Sequence, residues 1–94
     1  MELTFEWDEE KNERNMQRRG ISFEEAMSVF GDPHSVTIFD NRHFEDEDRF
    51  IDIGLSNRRR LLVVVYTERA DGIRIISCRK TEPPEQRQYE RHKA

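Results

Sequence analysis

The chain holds one cysteine, one tryptophan, three prolines and four glycines in 94 residues, and only 34% of its side chains are hydrophobic. The lone Cys78 cannot close an internal disulfide, and its mid-strand position reads as a small buried hydrophobe, not a nucleophile. The longest unbroken apolar run, Leu61 to Tyr66, is far short of the roughly 20 residues of a membrane helix. The opening "MELTFEWDEE" is acidic where a signal peptide is basic and then apolar, which points to a cytoplasmic protein. There is no glycine-rich phosphate loop, no dinucleotide fingerprint and no Ser-His-Asp order, so any phosphate must be held by side chains. His34, His43 and His92 lie in three separate segments without zinc-ligand spacing. The acidic stretch from Asp40 to Asp48 lacks the glycine and alternating acids of a calcium loop, so neither metal nor cofactor is expected.

Charge, by contrast, is abundant, and it is unevenly placed. Residues 1–56 carry 6 basic and 15 acidic side chains, net −9, whereas residues 57–94 carry 10 and 5, net +5, giving −4 for the whole chain. An acidic protein can therefore present one basic face, and a local basic patch is what attracts phosphate.

The punctuation predicts one α+β domain, because a chain of this length is too short for two. "TFEW" alternates as an edge strand. Asp8 then caps a helix over "EEKNERNMQRR", with acids in its first turn, arginines in its last and Gly20 as its stop. Its one apolar residue is Met16, so it either rides on neighbours or faces a partner. "SFEE" reads as a capping box from Ser22 to Glu25, with Ile21 stapling onto Ala26, and Phe23, Ala26, Met27 and Phe30 form the core stripe of a second helix ended by "GDP". "NRHFEDED" is expected to be a loop. Strands are expected over residues 3–7, 35–39, 49–56, 60–69 and 72–80, in a mainly antiparallel meander whose central pair is the last two. A C-terminal helix follows "TEPP", docked by Tyr89.

Several of these segments, taken in order, carry a resemblance. "FEWDEEKNERNMQRRGISFEEAMSVFGDP", an Asp-x-Arg-His before the acidic stretch, "RFIDIGLS", "LLVVVYTER" and "IRIISCRK" resemble the BrnT family of toxins, from Phe5 to about Tyr89. The resemblance implies a compact RelE-like fold, metal-independent endoribonuclease activity that inhibits translation, and an antitoxin of the BrnA type. It also implies a two-plus-two complex that meets operator DNA only through the antitoxin. Two positions depart from the family pattern: Arg18-Arg19-Gly20 stands where relatives commonly have Lys-His-Gly, and Tyr66 where they often have histidine before Thr-Glu-Arg.

Cutting RNA without a metal requires a base at the ribose 2′-hydroxyl, an acid at the leaving 5′-oxygen and fixed cations at the phosphate. Glu68, at the end of the central strand, is the expected base, and Arg69 and Arg79, at the ends of adjacent strands, are the expected phosphate clamp. The acid is left among Tyr66, Lys80 and a histidine. Arg18, Arg19, Arg74 and Arg87 are expected to bind the RNA backbone, and Arg14, Arg18, Arg19, Arg79, Arg87 and Arg91 to face the antitoxin. Strand alternation complicates the site, since Glu68 shares a face with Tyr66 and not with Arg69. The plainer alternatives are a Glu68–Arg79 cross-strand ion pair and a binding module that acts through its antitoxin without catalysis.

Overall fold

Five strands form one sheet in the order β1-β5-β4-β3-β2, where β1 is Thr4–Trp7, β2 Val36–Phe44, β3 Glu47–Leu55, β4 Leu61–Arg69 and β5 Gly72–Lys80. The computed structural model describes residues 3–44 and 47–93, with the side chains of residues 41–44 outside that description. Helices α1 (Glu9–Arg19) and α2 (Phe23–Ser28) precede β2, a 3-10 turn over Val29–Gly31 closes α2, and α3 (Pro83–Lys93) ends the chain. The four strands β2 to β5 are an antiparallel meander, and β4 pairs with β5 as expected. β1 departs from it by adding to the far edge parallel to β5, with Thr4 opposite Gly72 and Trp7 opposite Ile75. Gly72 permits that approach: a Cβ there would sit 1.9 Å from the Thr4 carbonyl oxygen.

The sheet buries both faces. Leu62, Val64 and Tyr66 point to one, where they meet Ile21, Phe23, Ala26 and Val29 of the first helical layer and Ile73, Ile75 and Cys78 of β5. Val63 points to the other, where it meets Ile53 and Tyr89 of α3. Each face meets an expectation: Tyr89 docks α3, its hydroxyl donating to Asp32 at 2.7 Å, and on the first face Cys78 is a buried thiol whose pKa burial pushes up to about 12.

Helix α1 is anchored without an apolar stripe. Met16 is 46% exposed, while Asn12 and Asn15 turn inward. Asn12 Oδ1 accepts from the Phe23 amide at 2.8 Å, and Asn15 Nδ2 donates to the Ile21 carbonyl at 2.9 Å and to Cys78 Sγ at 3.2 Å. Three residues apart, the two asparagines lie on one helical face, so polar side chains do what an apolar stripe does elsewhere. Asp8 caps the start and Gly20, at φ 69°, the end.

Two local expectations need correction. Ser22 caps α2 by accepting from the Glu25 amide, but the Glu25 carboxylate does not close a capping box; it turns inward to Arg60 and to the Ser56 hydroxyl. And the segment read as a hydrophilic loop is mostly strand: β2 runs on to Phe44 and β3 begins at Glu47, with Asp40 opposite Arg49 and an irregular register beyond. Charged residues do not forbid a ladder at a sheet's outer edge, because the ladder is made by the backbone. Glu45 and Asp46 of the metal reading, and the His43 side chain, lie outside the described residues.

Candidate functional site

Antiparallel pairing fixes where the expected site residues lie. In the β4–β5 register Arg69 stands opposite Gly72, whereas Arg79 stands opposite Val63. Six residues of strand separate the two positions, about 20 Å at roughly 3.3 Å per residue. Arg69 and Arg79 therefore do not meet, because adjacent antiparallel strands finish at opposite ends of the sheet. Arg79 instead holds the Glu85 carboxylate through both terminal nitrogens, at 2.8 and 2.6 Å. The same carboxylate accepts from the Glu82 amide at 2.8 Å, so Arg79 fastens the start of α3 to the sheet. The Arg79 guanidinium pulls the Glu85 carboxyl below its ordinary range. A Glu68–Arg79 pair is likewise excluded, since Glu68 lies opposite Ile73.

The remaining nominees are also dispersed. Glu68 shares the helix-covered face with Tyr66 and lies beside Asp48 and Phe50. Tyr66 is in the core, stacked on Phe50 and edge-on to Phe30. Its hydroxyl donates to Asp52 at 3.0 Å, and burial raises its pKa well above the ordinary tyrosine value. Lys80 lies at the Arg79 end of the sheet. Arg14, Arg18 and Arg19 on α1, and Arg87 and Arg91 on α3, are exposed.

Asp52 itself has a measurable signature. Burial pushes its carboxyl above the ordinary value of 3.8, against hydrogen bonds from Thr37 and Tyr66 that favour the charged form. A folded-state pKa above the unfolded one means that the folded chain binds the proton more tightly, so stability falls as pH rises from 3.8 through the folded value. Asp52→Asn keeps an acceptor for both hydroxyls and has no charge to bury. It is expected to melt higher than the parent at pH 7, with the gap closing as pH falls toward 3.8 in a thermal scan.

The fold does bring Arg69 and Arg74 together, and a β-bulge is responsible, while Arg19, Arg79 and Lys80 gather around a separate depression at the other end of the sheet. Val65 stands opposite Ser77 but Tyr66 opposite Ile75, leaving Ile76 as the extra residue of β5. The bulge reverses the alternation of β5. Ile73 and Ile75 thus share the core face with Cys78, and Arg74 is delivered opposite Thr67 to the same face as Arg69. There Lys11, Glu47, Arg49, Thr67, Arg69 and Arg74 line a small polar cleft. Arg69 reaches Glu47 at 3.1 Å and Arg74 reaches Glu6 at 3.6 Å, and basic side chains outnumber acidic ones in the lining of the cleft.

Thr67 forms the floor. It is 2% exposed, and its Oγ1 is buried without a hydrogen-bond partner among the described residues. A buried hydroxyl left unbonded costs about 1–3 kcal/mol, so its position here calls for a reason. Guanidinium and ammonium groups gathered around a threonine are chemistry suited to a tetrahedral oxyanion, whose oxygens arginine forks can grip in pairs. Beside the cleft, across Arg69, lies a depression of about 330 Å³ lined by Thr4, Gly72 and Ile73 among others.

Sequence reasoning missed Lys11, Glu47, Arg49 and Thr67. Two signals were present. Lys11 is a cation in the first turn of a helix, where the macrodipole favours acids, and such local inconsistency marks function. Thr67 is a polar residue in register with Val63 and Val65 on a strand otherwise apolar inside. Nothing in the sequence announced the bulge.

Comparison with known proteins accords with this architecture. Residues 7–85 match the model of a family described as "Ribonuclease toxin, BrnT, of type II toxin-antitoxin system". No curated protein matches the chain. Among solved structures, the crystal structure of the Brucella abortus ribonuclease toxin BrnT is similar, with a TM-score of 0.58 at 20% identity over 86% of this chain and 99% of that one.

Proposed function

Since the chain belongs to the BrnT family, the ribonuclease toxins of type II toxin-antitoxin systems, we propose that it is a metal-independent endoribonuclease whose reaction takes place in the Lys11–Arg49–Thr67–Arg69–Arg74 cleft. The observation that carries this reading is the unpartnered Thr67 hydroxyl beneath converging cations. In the proposed reaction the scissile phosphate of RNA sits on Thr67, with Arg69 and Arg74 holding its non-bridging oxygens. Glu47 takes the proton of the ribose 2′-hydroxyl as that oxygen attacks phosphorus. The bond to the 5′-oxygen breaks, and Lys11 gives that oxygen its proton, leaving a 2′,3′-cyclic phosphate and a free 5′-hydroxyl. The neighbouring depression has room for a flanking nucleoside. Cleaving cytoplasmic RNA in this way inhibits translation.

A type II toxin has an antitoxin partner. The partner proposed here is of the BrnA type, in a two-plus-two complex that binds operator DNA through the antitoxin and covers the basic cleft. Among the described residues no helix is long and apolar enough to cross a membrane.

The test is cleavage of labelled RNA in EDTA by the purified chain and by Thr67→Val. Valine keeps the shape and removes a hydroxyl that bonds nothing among the described residues, so the melting temperature is expected to hold or rise. A hydrogen bond to a charged group is worth about 1.5–3 kcal/mol, so kcat is expected to fall by about tenfold to a hundredfold. Fragments should end in cyclic phosphate. Absence of cleavage in EDTA would leave the non-catalytic binding module as the reading, and cleavage untouched by Thr67→Val would remove the cleft from it.

A further inference from the structure

The turn joining β3 to β4 is held rigidly and carries an arginine in a conformation that arginine disfavours. The Ser56 amide donates to the Arg60 carbonyl at 2.8 Å and the Arg59 amide to the Ser56 carbonyl at 2.9 Å. Ser56 Oγ accepts from the Arg58 and Arg60 amides and donates to Glu25. Within this frame Arg59 sits at φ 60°, the single non-glycine residue with positive φ among the described residues. Glycine or asparagine takes that left-handed conformation without strain. Arg58 and Arg59 are exposed, and neither side chain makes an ion pair among the described residues. A strained residue at an exposed tip, where a relaxed one would fit, points to a use for the side chain.

The surroundings share the charge. The Arg60 guanidinium bonds the Gly20 carbonyl at 3.2 Å, bringing the basic end of α1 beside the turn, and Arg19 lines one depression with Arg79, Lys80 and the carboxylate Glu82. This end of β4 lies eight residues from Arg69, about 26 Å at roughly 3.3 Å per residue. Stacked nucleotides advance about 3.4 Å each, so a strand held in the cleft needs at least about eight nucleotides to reach the turn.

We propose that the Arg58–Arg59 turn is a second phosphate contact for the RNA strand held in the cleft, so that the protein grips its substrate at both ends of the sheet. This deepens the ribonuclease reading and rests on it for the identity of the ligand. The tip Asn57-Arg58-Arg59 offers three polar side chains and no apolar one, which suits a nucleic-acid backbone better than the apolar centre of a protein interface. Arginine's planar fork suits phosphate oxygens.

The experiment compares the parent with Arg59→Gly and Arg59→Lys, using fluorescence anisotropy on 2′-O-methyl RNA, which cannot be cleaved. Because binding alone is read, the result does not depend on whether the chain cleaves RNA. For a 20-nucleotide strand Arg59→Gly is expected to raise Kd about three- to tenfold and to shallow the slope of log K against log salt by about 0.7, the share of one single-strand phosphate. A trinucleotide, too short to span the distance, is expected to bind both equally. Arg59→Lys should fall between, and the melting temperature of Arg59→Gly should equal or exceed the parent's, since the strain is relieved. Equal Kd for the long strand, or an equal loss on the trinucleotide, would overturn the proposal. So would a variant that binds RNA normally while losing affinity for a co-expressed antitoxin, which would assign the turn to that partner.

Discussion

Replacing Arg69 with alanine is expected to lower kcat for RNA cleavage by about a hundredfold to a thousandfold, the range for losing one preorganised donor to a developing oxyanion. Stability should hardly move. The Arg69 side chain is 46% exposed, and its partner Glu47 is 43% exposed, so their ion pair is worth no more than about 1 kcal/mol. Arg69→Lys restores the charge but not the fork, and its rate should fall between the two. Arg79→Ala is expected to behave in the opposite way. It removes a two-pronged bond to Glu85 that fixes the start of α3, and so it should lower the melting temperature more than it lowers kcat. Parallel kcat and melting measurements on the two variants separate the roles. Equal loss of kcat from both would mean that the two ends of the sheet act together in catalysis.

Arg60→Ala is expected to be the most destabilising of the substitutions considered, by about 3–5 kcal/mol, the cost of leaving a buried charge without its partner. Glu25 is 4% exposed and bonds both the Arg60 guanidinium and the Ser56 hydroxyl at 2.7 Å. For a domain of this size each kcal/mol shifts the melting temperature by about 4–8 °C, so a fall of more than about 12 °C is expected. The pH dependence follows from the same contact. Arg60 and Ser56 hold the Glu25 carboxyl below its ordinary value of 4.5, outweighing the opposing effect of burial. A depressed folded-state pKa contributes stability above 4.5 and loses it as pH falls through the lower folded value. Below pH 4.5 the parent should therefore lose stability, and the gap between parent and Arg60→Ala should narrow. A melting temperature within a degree or two of the parent's at pH 7 would show that Glu25 finds another partner or takes up a proton.

The chemistry of individual residues made much of the fold legible. Asp8 and Gly20 bounded α1, the stripe Phe23, Ala26, Met27 and Phe30 placed α2 on the core, and the apolar runs of β4 and β5 paired. Tyr89 docked its helix for the reason its isolation implied. What escaped depends on relations between distant segments. The parallel pairing of β1 with β5 requires knowing which edge is open, and a hydrophilic composition between Asp40 and Asp48 does not distinguish a loop from an edge hairpin. Asn12 and Asn15 look like surface residues until Phe23 and Cys78 arrive beside them.

The site was the least legible part, because it is a product of register. Alternation correctly separated Glu68 from Arg69, but proximity in sequence to strand ends placed Arg79 beside Arg69 when antiparallel pairing puts it at the other end of the sheet. The bulge at Ile76 then recruits Arg74, a residue that regular alternation would have turned toward the core. Lys11 and Arg49 complete the cleft from a helix and from β3. Residues from four elements thus converge where no contiguous motif could show them.

The most direct test of where the chemistry resides is a nuclear magnetic resonance titration of the isotope-labelled chain with an RNA trinucleotide whose 2′-hydroxyls are methylated. Binding in the cleft predicts shifts concentrated on the amides and side chains of Lys11, Arg49, Thr67, Arg69 and Arg74, with a new hydrogen-bond signature at the Thr67 hydroxyl. Shifts concentrated instead on Arg19, Arg79, Lys80 and Glu82, with Thr67 unmoved, would contradict it and place the phosphate at the opposite end of the sheet.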